Sequence, residues 1–378
     1  MGTWVSCLQE NLNKGLAIVG RAVPTRTTLP VTQNVLLIND NSRLKLSATN
    51  LEIAISTWVG AKIEGEGGIT VPARLLAEFV ASLPAEPLEI ALTSKPQGIH
   101  LQCARFEAHI LGTEAQEFPP IPTVSEGVAA RMDPATLRSA ITRVIFAAAV
   151  EESRPILTGV KVELENDRFV FAAADGFRLA VSKGALLEPV QENISVVIPA
   201  KTLAELNRLL VGQEDPVEIT VTASKSQILF RLKNIEMVSQ LIQGQFPNYS
   251  QLIPQSYSTK SVVDLPSLLQ ASRAAAIFAR DGRGIVRLQM VPGDGTGGKL
   301  LISARADEVG DDQGEIDALV EGPEVSIAFD SKYLTDVLSV LERGDVSIEV
   351  TSTSSPGVFK PLGSKDYIHV VMPMFVQW

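Results

Sequence analysis

Few stretches of this chain carry residue types spaced for chemistry. The clearest is Gly293 to Leu300, GDGTGGKL, which satisfies the G-x-x-x-x-G-K core of a phosphate-cradling loop. Such a loop needs a Ser or Thr hydroxyl after the Lys to reach magnesium, and a helix must follow. Leu300 occupies the hydroxyl position, and the flanking runs RGIVRLQMV and KLLISA alternate like strands. The segment therefore reads as a hairpin loop. His100, His109 and His369 also lie in strand-like runs, and no two have the i, i+4 spacing of a helical metal pair. Cys7 and Cys103 are too few for a disulfide framework or a structural zinc site. No Ser or Cys sits in a nucleophile elbow, and the acids are too many to single out a working pair. The sequence predicts no catalytic residue, no cofactor and no metal. A hydrolytic or nucleotide-dependent enzyme would require a constellation that these residues do not supply.

The remaining candidates are bases, and their meaning depends on the elements that carry them. Three landmarks recur along the chain. The first is a segment of helical periodicity: residues 9–23, 134–149 and 265–280. The second is a pair of short alternating runs around a turn. It appears at Arg43 to Ser56 with a turn at Thr49-Asn50, and at Arg168 to Ser182 with a turn at Asp175-Gly176. Its first half returns at Lys299 to Ala304. The third is a strand leading into an amphipathic helix, VPARLLAEFVASLP, IPAKTLAELNRLL and AFDSKYLTDVLSVL. Pro72 and Pro199 stand at two of these helix entries, and Asp330 or Ser331 can cap the third. All three landmarks repeat at spacings near 125–131 residues, which implies a threefold repeat. Expected domains are 1–122, 129–253 and 256–378, with proline-bearing extended connectors at 118–127 and 246–256. The third repeat is expected to end inside its last strand.

The chain has 378 residues and a net charge of −10, a balance that argues against nucleic acid unless the positive charge is local. It is local. The six predicted helices carry Lys14, Arg21, Arg74, Arg138, Arg143, Lys201, Arg208, Arg273, Arg280 and Lys332. Against these stand Glu10, Glu78, Glu205, Asp330 and Asp336. Basic helices in an acidic protein suggest one basic surface with acidic sheets turned away. Few aromatics interleave with the bases, so single-strand stacking is not expected. Diffuse charge suits sequence-independent contact with duplex phosphates. No apolar run reaches membrane-span length and no secretory signal is evident, so a cytoplasmic protein is expected.

The threefold repeat, the run ADGFRLAV at Ala174 to Val181, the connector FPNYSQLIP and the terminal VVMPM closely resemble the bacterial DNA polymerase III beta subunit family, the sliding clamps. The resemblance spans essentially the whole chain. It implies an α+β fold of three clamp-type domains, each with two helices inside and sheets outside. It also implies a head-to-tail homodimeric ring of six domains around double-stranded DNA. The implied role is non-catalytic, a processivity factor for the DNA polymerase III catalytic subunit. Implied partners are that subunit, the clamp loader, and repair polymerases, mismatch-repair proteins and ligase carrying a clamp-binding motif, with no membrane partner.

Matched position by position, the resemblance implies a peptide groove of Leu157, Gly176, Phe177, Arg178, Leu179, Pro247, Leu252, Asp330, Tyr333, Met372, Pro373 and Met374. Phe177 stands where the family commonly has His, Gln251 where a base is frequent, and Pro356 where a small polar residue is. The resemblance implies DNA contacts at Arg26 and, in the segment 150–157, at Arg154; the helix argument adds Arg21, Arg138, Lys201 and Arg208. The implied dimer contact joins Ile277 and Phe278 to Phe106. Asp307 and Glu308 in the acidic run 306–317 would face Arg74, Lys95 and Arg105. In the uncharged tail VVMPMFVQW, Val370 and Val371 read as core strand and Met372 to Met374 as a groove wall. The family commonly stops soon after this Met-Pro-Met. Trp378, in the added Phe375 to Trp378, would cap the groove, pack beside it or enter a neighbouring molecule.

Overall fold

The structure, a computed structural model, describes residues 4–295 and 297–376; Met1 to Thr3, Thr296, Gln377 and Trp378 lie outside the described residues. Among the described residues, six α-helices punctuate 26 strands: α1 (Gln9–Val19), α2 (Ala73–Ser82), α3 (Pro134–Val144), α4 (Ala200–Leu209), α5 (Leu265–Asp281) and α6 (Ser331–Val340). They are the six expected helices. The long predictions at 9–23 and 134–149 are corrected, because α1 and α3 each tighten into a 3-10 turn, Gly20–Ala22 and Ile145–Ala147. Each helix buries one stripe. In α1 the stripe is Gln9, Leu12, Gly15, Leu16 and Val19, while Lys14 stays in water. Asp330, rather than Ser331, caps α6 by accepting from the Lys332 and Tyr333 amides.

By contacts the chain divides into two bodies. One holds residues 1–134, 190–192 and 205–241. Its principal sheet has nine antiparallel strands. Five come from the first repeat and four from the second, and the sheet passes from one to the other where Ile53–Val59 pairs with Ile235–Gln240, setting Met237 opposite Ile55. A separate five-stranded sheet ends at the edge strand Phe106–Leu111. The other body holds residues 135–189, 193–204 and 242–378, with a single series of twelve strands. There the second repeat passes into the third where Arg178–Ala185 pairs with Tyr367–Val371, setting His369 opposite Ala180.

The predicted hairpins form. Asn50 Oδ1 accepts from the Glu52 and Ile53 amides, closing the turn between Arg43–Thr49 and Ile53–Val59. GDGTGGKL links the paired strands Ile285–Pro292 and Gly298–Ala306, Leu300 is fully buried, and a strand follows the lysine. Two expectations need correction. The 246–256 connector is no bare linker, because Phe246 is buried in the core and Tyr249–Leu252 forms a 3-10 turn. Nor does the chain stop within its last strand: that strand ends at Val371, and five described residues continue beyond it.

Close packing under the second joint depends on a missing side chain. A Cβ on Gly357, opposite Val371, would lie 2.3 Å from the ring of Phe329. That ring is fully buried and meets Phe359 edge-on at 5.5 Å, so it has nowhere to turn. Gly357→Ala should cost about 1–3 kcal/mol through overpacking, read as a lower urea midpoint. An unchanged midpoint would mean that the ring has room to move.

Candidate docking groove and basic helices

The second joint builds the densest constellation in the chain. Asp175 Oδ1 accepts from the Phe177 and Arg178 amides at 2.9 and 3.0 Å, and Gly176 takes φ +98°, so the chain reverses in one step. The turn leaves Phe177 largely exposed and folds Arg178 inward, at 8% exposure. The Arg178 guanidinium then has three acceptors: Asp175 Oδ2 at 3.0 Å, Asp336 Oδ2 at 2.7 Å and the Phe146 carbonyl at 2.6 Å. Its plane lies over the Tyr333 ring at 4.3 Å and the Phe146 ring at 5.4 Å. Burial, then Asp175, raises the Tyr333 phenol above its ordinary value. One side chain thus ties the 175–177 turn of the second repeat to α6 of the third.

An apolar floor lies beside this junction. Leu157, Leu179, Phe246 and Val370 share a buried cluster with Ala172, Val181 and Val358, and Ile156, Ile242, Tyr249 and Ile253 pack on its margin. The tail supplies a wall. The Met372 amide donates to the Phe177 carbonyl and the Met374 amide to the Ala328 carbonyl, both at 2.8 Å. Pro373 turns inward between the exposed Met372 and Met374. Leu252 and Pro247 are exposed on the Phe246–Leu252 segment. The twelve implied groove residues all belong to the second body. Beyond Met374, a cavity of about 250 Å³ is lined by Arg287, Ser326, Ala328, Thr353, Phe375 and Val376. The reading of Trp378 lies outside the described residues.

The other implied residues stand apart from this groove. Arg21 and Arg208 share Glu205 as an ion-pair partner. Arg26, Arg138 and Lys201 are exposed. Arg154, implied as a DNA contact, has its guanidinium against the Gly176 turn, 3.3 Å from where a Cβ would stand, so it borders the groove. Phe106 and Ile277 are exposed and Phe278 is half-buried; Asp307 and Glu308 are exposed at a strand connection, and Arg74 pairs with Glu78 on its own helix. Both cysteines are buried, and burial pushes Cys7 up to about 11, which suits a packed thiol better than a nucleophile.

Three family profiles tile this architecture: the DNA polymerase III beta subunit N-terminal domain over residues 3–122, the central domain over 131–248 and the C-terminal domain over 250–375. The chain belongs to the DNA polymerase III beta subunit family. Its fold is three clamp domains. Among its relatives, the beta sliding clamp of Synechococcus elongatus is 33% identical over 372 residues, covering 97% of this chain and 98% of that protein. The Bacillus subtilis beta sliding clamp is 30% identical over 379 residues, again covering 97% and 98%. A crystal structure of the Bacillus subtilis sliding clamp superposes with a TM-score of 0.94 at 28% identity, covering all of both chains. The griselimycin-bound sliding clamp of Pseudomonas aeruginosa superposes at 0.90 with 29% identity, covering 99% of this chain and all of that one.

The family match directs attention to the second joint, but sequence reasoning passed over its interior. Asp336 sits one helical turn after Lys332 and reads as half of a solvated i, i+4 pair, which it also forms at 3.0 Å. Nothing in the sequence marks Arg178, 158 residues earlier, as its second partner. His369 is fully buried, stacked on Phe146 at 5.4 Å and on Tyr367 at 6.5 Å, with neither ring nitrogen bonded. Burial, then the positive charge of Arg178, lowers its pKa to about 3.

That depression makes the joint acid-sensitive. The unfolded chain protonates this imidazole below about pH 6.5, whereas the folded chain holds it neutral to about pH 3. Its stabilising contribution is therefore complete above about pH 6.5 and is lost as pH falls toward 3. Between pH 7.5 and pH 5 the loss should be about 2 kcal/mol. Comparing urea midpoints at the two pH values would measure it, and His369→Phe should remove this part of the slope.

Proposed function

We propose that this chain is a sliding clamp: a head-to-tail dimeric ring around duplex DNA that tethers a DNA polymerase and raises its processivity without catalysing a reaction. One observation carries the assembly. Both joints within the chain use the same device. The last strand of one repeat, Ile235–Gln240 or Tyr367–Val371, adds to the strand closing the hairpin of the repeat before it, Ile53–Val59 or Arg178–Ala185. Applied once more, the device needs the last long strand of the first repeat, Phe106–Leu111, and residues 310–318 of the closing strand of the third, Gly310–Glu321. Among the described residues both have an unpaired outer edge. Two copies joined head to tail satisfy both edges twice, giving six repeats and no open sheet edge at the joints.

Side chains favour this pairing. Asp311, Asp312, Glu315 and Asp317 line the third-repeat strand, with Asp307 and Glu308 just before it, and Lys95 and Arg105 flank the first-repeat edge. Exposed Phe106 and Ile277, with half-buried Phe278, are the apolar groups for the contact. The domains are read as 1–122, 129–253 and 256–378. Arg21, Arg26, Arg138, Lys201 and Arg208 are read as diffuse phosphate contacts and Arg154 as one at the groove rim. Binding should then be sequence-independent and weaken steeply with salt. The groove is read as the dock for short peptide segments of the polymerase catalytic subunit, the clamp loader and repair partners. Exposed methionines suit several occupants. The protein would act in the cytoplasm at the replication fork. Among the described residues, no helix is long and apolar enough to cross a membrane.

Sedimentation should give twice 40.6 kDa, and Ile277→Ala with Phe278→Ala should give monomers. Loaded protein should stay on nicked circular DNA and leave once the circle is cut; equal release from both forms would sink encirclement. For the groove, Met372→Ala with Phe177→Ala should weaken a clamp-binding peptide about tenfold or more in calorimetry while leaving the dimer intact.

A further inference from the structure

The function proposed above leaves one side-chain cluster unused. His100 and His109, nine residues apart, stand directly opposite each other on the paired strands Gln97–Cys103 and Phe106–Leu111. Their rings stack 4.4 Å apart at 17°. Glu107 precedes His109 by two residues and so shares its face of the sheet. Its Oε1 lies 2.6 Å from His100 Nε2 and 3.9 Å from His109 Nε2. One donor atom from each residue falls within 4.8 Å of the other two. Ile110 is buried on the opposite face, whereas Glu107 and His109 are exposed, so the cluster looks out into water.

We propose that His100, Glu107 and His109 bind one divalent transition-metal ion, Zn²⁺ by donor type, with water completing its coordination. Two imidazoles and a carboxylate form a borderline N₂O donor set that favours Zn²⁺ over hard cations such as Mg²⁺. Donors about 2.0–2.2 Å from a tetrahedral ion lie about 3.3 Å apart. His100 and Glu107 are already closer than that, and the outermost separation, no more than 4.8 Å, must shrink by at most about 1.5 Å. The nearly parallel rings present their lone pairs side by side, so one must turn. His109 is free to do so, with its side chain 67% exposed against 22% for His100. The strands supply a rigid base, and the exposed side chains supply the adjustment. The helical spacing rule is blind to this site because its ligands come from two strands.

The test uses the full chain without a polyhistidine tag, titrated with Zn²⁺ by calorimetry and with Co²⁺ by visible absorption. The third histidine, His369, is fully buried and does not compete. One ion per chain is expected, with Co²⁺ ligand-field bands. His109→Ala and Glu107→Gln, both at exposed positions, should each lower affinity about tenfold or more. Zn²⁺ should raise the thermal midpoint of the parent and leave that of His109→Ala unmoved. Absence of saturable binding, or equal binding by parent and both variants, would overturn the proposal. Neither result bears on DNA retention, so the clamp reading stands or falls separately.

Discussion

The second joint depends on one buried guanidinium. A charge removed from water is costly unless every donor finds a partner. Each of the three guanidinium nitrogens of Arg178 has an acceptor, two carboxylates and one carbonyl in all, and two aromatic rings lie against its plane. The partners belong to different stretches: the 175–177 turn, the end of α3's 3-10 extension and α6. A smaller or uncharged side chain would leave Asp336 and Asp175 facing an apolar layer. The arrangement therefore specifies one way for the second repeat to meet the third. The strand pairing alone is less selective, because a slipped register would still form backbone bonds.

The groove is a by-product of that junction. Fixing Arg178 inward forces Phe177 outward, and the pairing of Arg178 with Val371 delivers the tail to the turn. The apolar floor then lies where two repeats share a core, a setting in which ligand sites commonly occur. His369 and Tyr367 belong to the same layer but lack polar partners, so they contribute packing at the expense of unsatisfied nitrogen and hydroxyl groups. The first joint pairs Met237 with Ile55, and among the described residues no buried arginine stands there. Equivalent strands can thus be joined with or without a buried arginine.

Much of this was legible in the chain. Helix positions followed from apolar periodicity, the Asp175-Gly176 turn from its residue types, and the repeat from spacing. Those signals are local, with a range of a few residues. What stayed hidden was pairing over distance. Asp336 carries a local partner in Lys332 and gives no sign of a second. Phe246 looks like part of a proline-rich connector, although it anchors the core. His100 and His109 look unrelated until the strand register brings them face to face. The length of α3 was overestimated because Ile145, Phe146 and Ala147 continue the apolar pattern while the backbone tightens into a 3-10 turn. Composition alone would also have discounted a polyanionic partner, since the overall acidity conceals the basic helices.

The tail wall is held by main-chain bonds. Met372 and Met374 are fixed through their amides to the carbonyls of Phe177 and Ala328, while their thioether side chains are exposed. Position and chemistry are therefore under separate control. Substitution at 372 or 374 can therefore change the surface chemistry of the wall while the backbone bonds that position it persist.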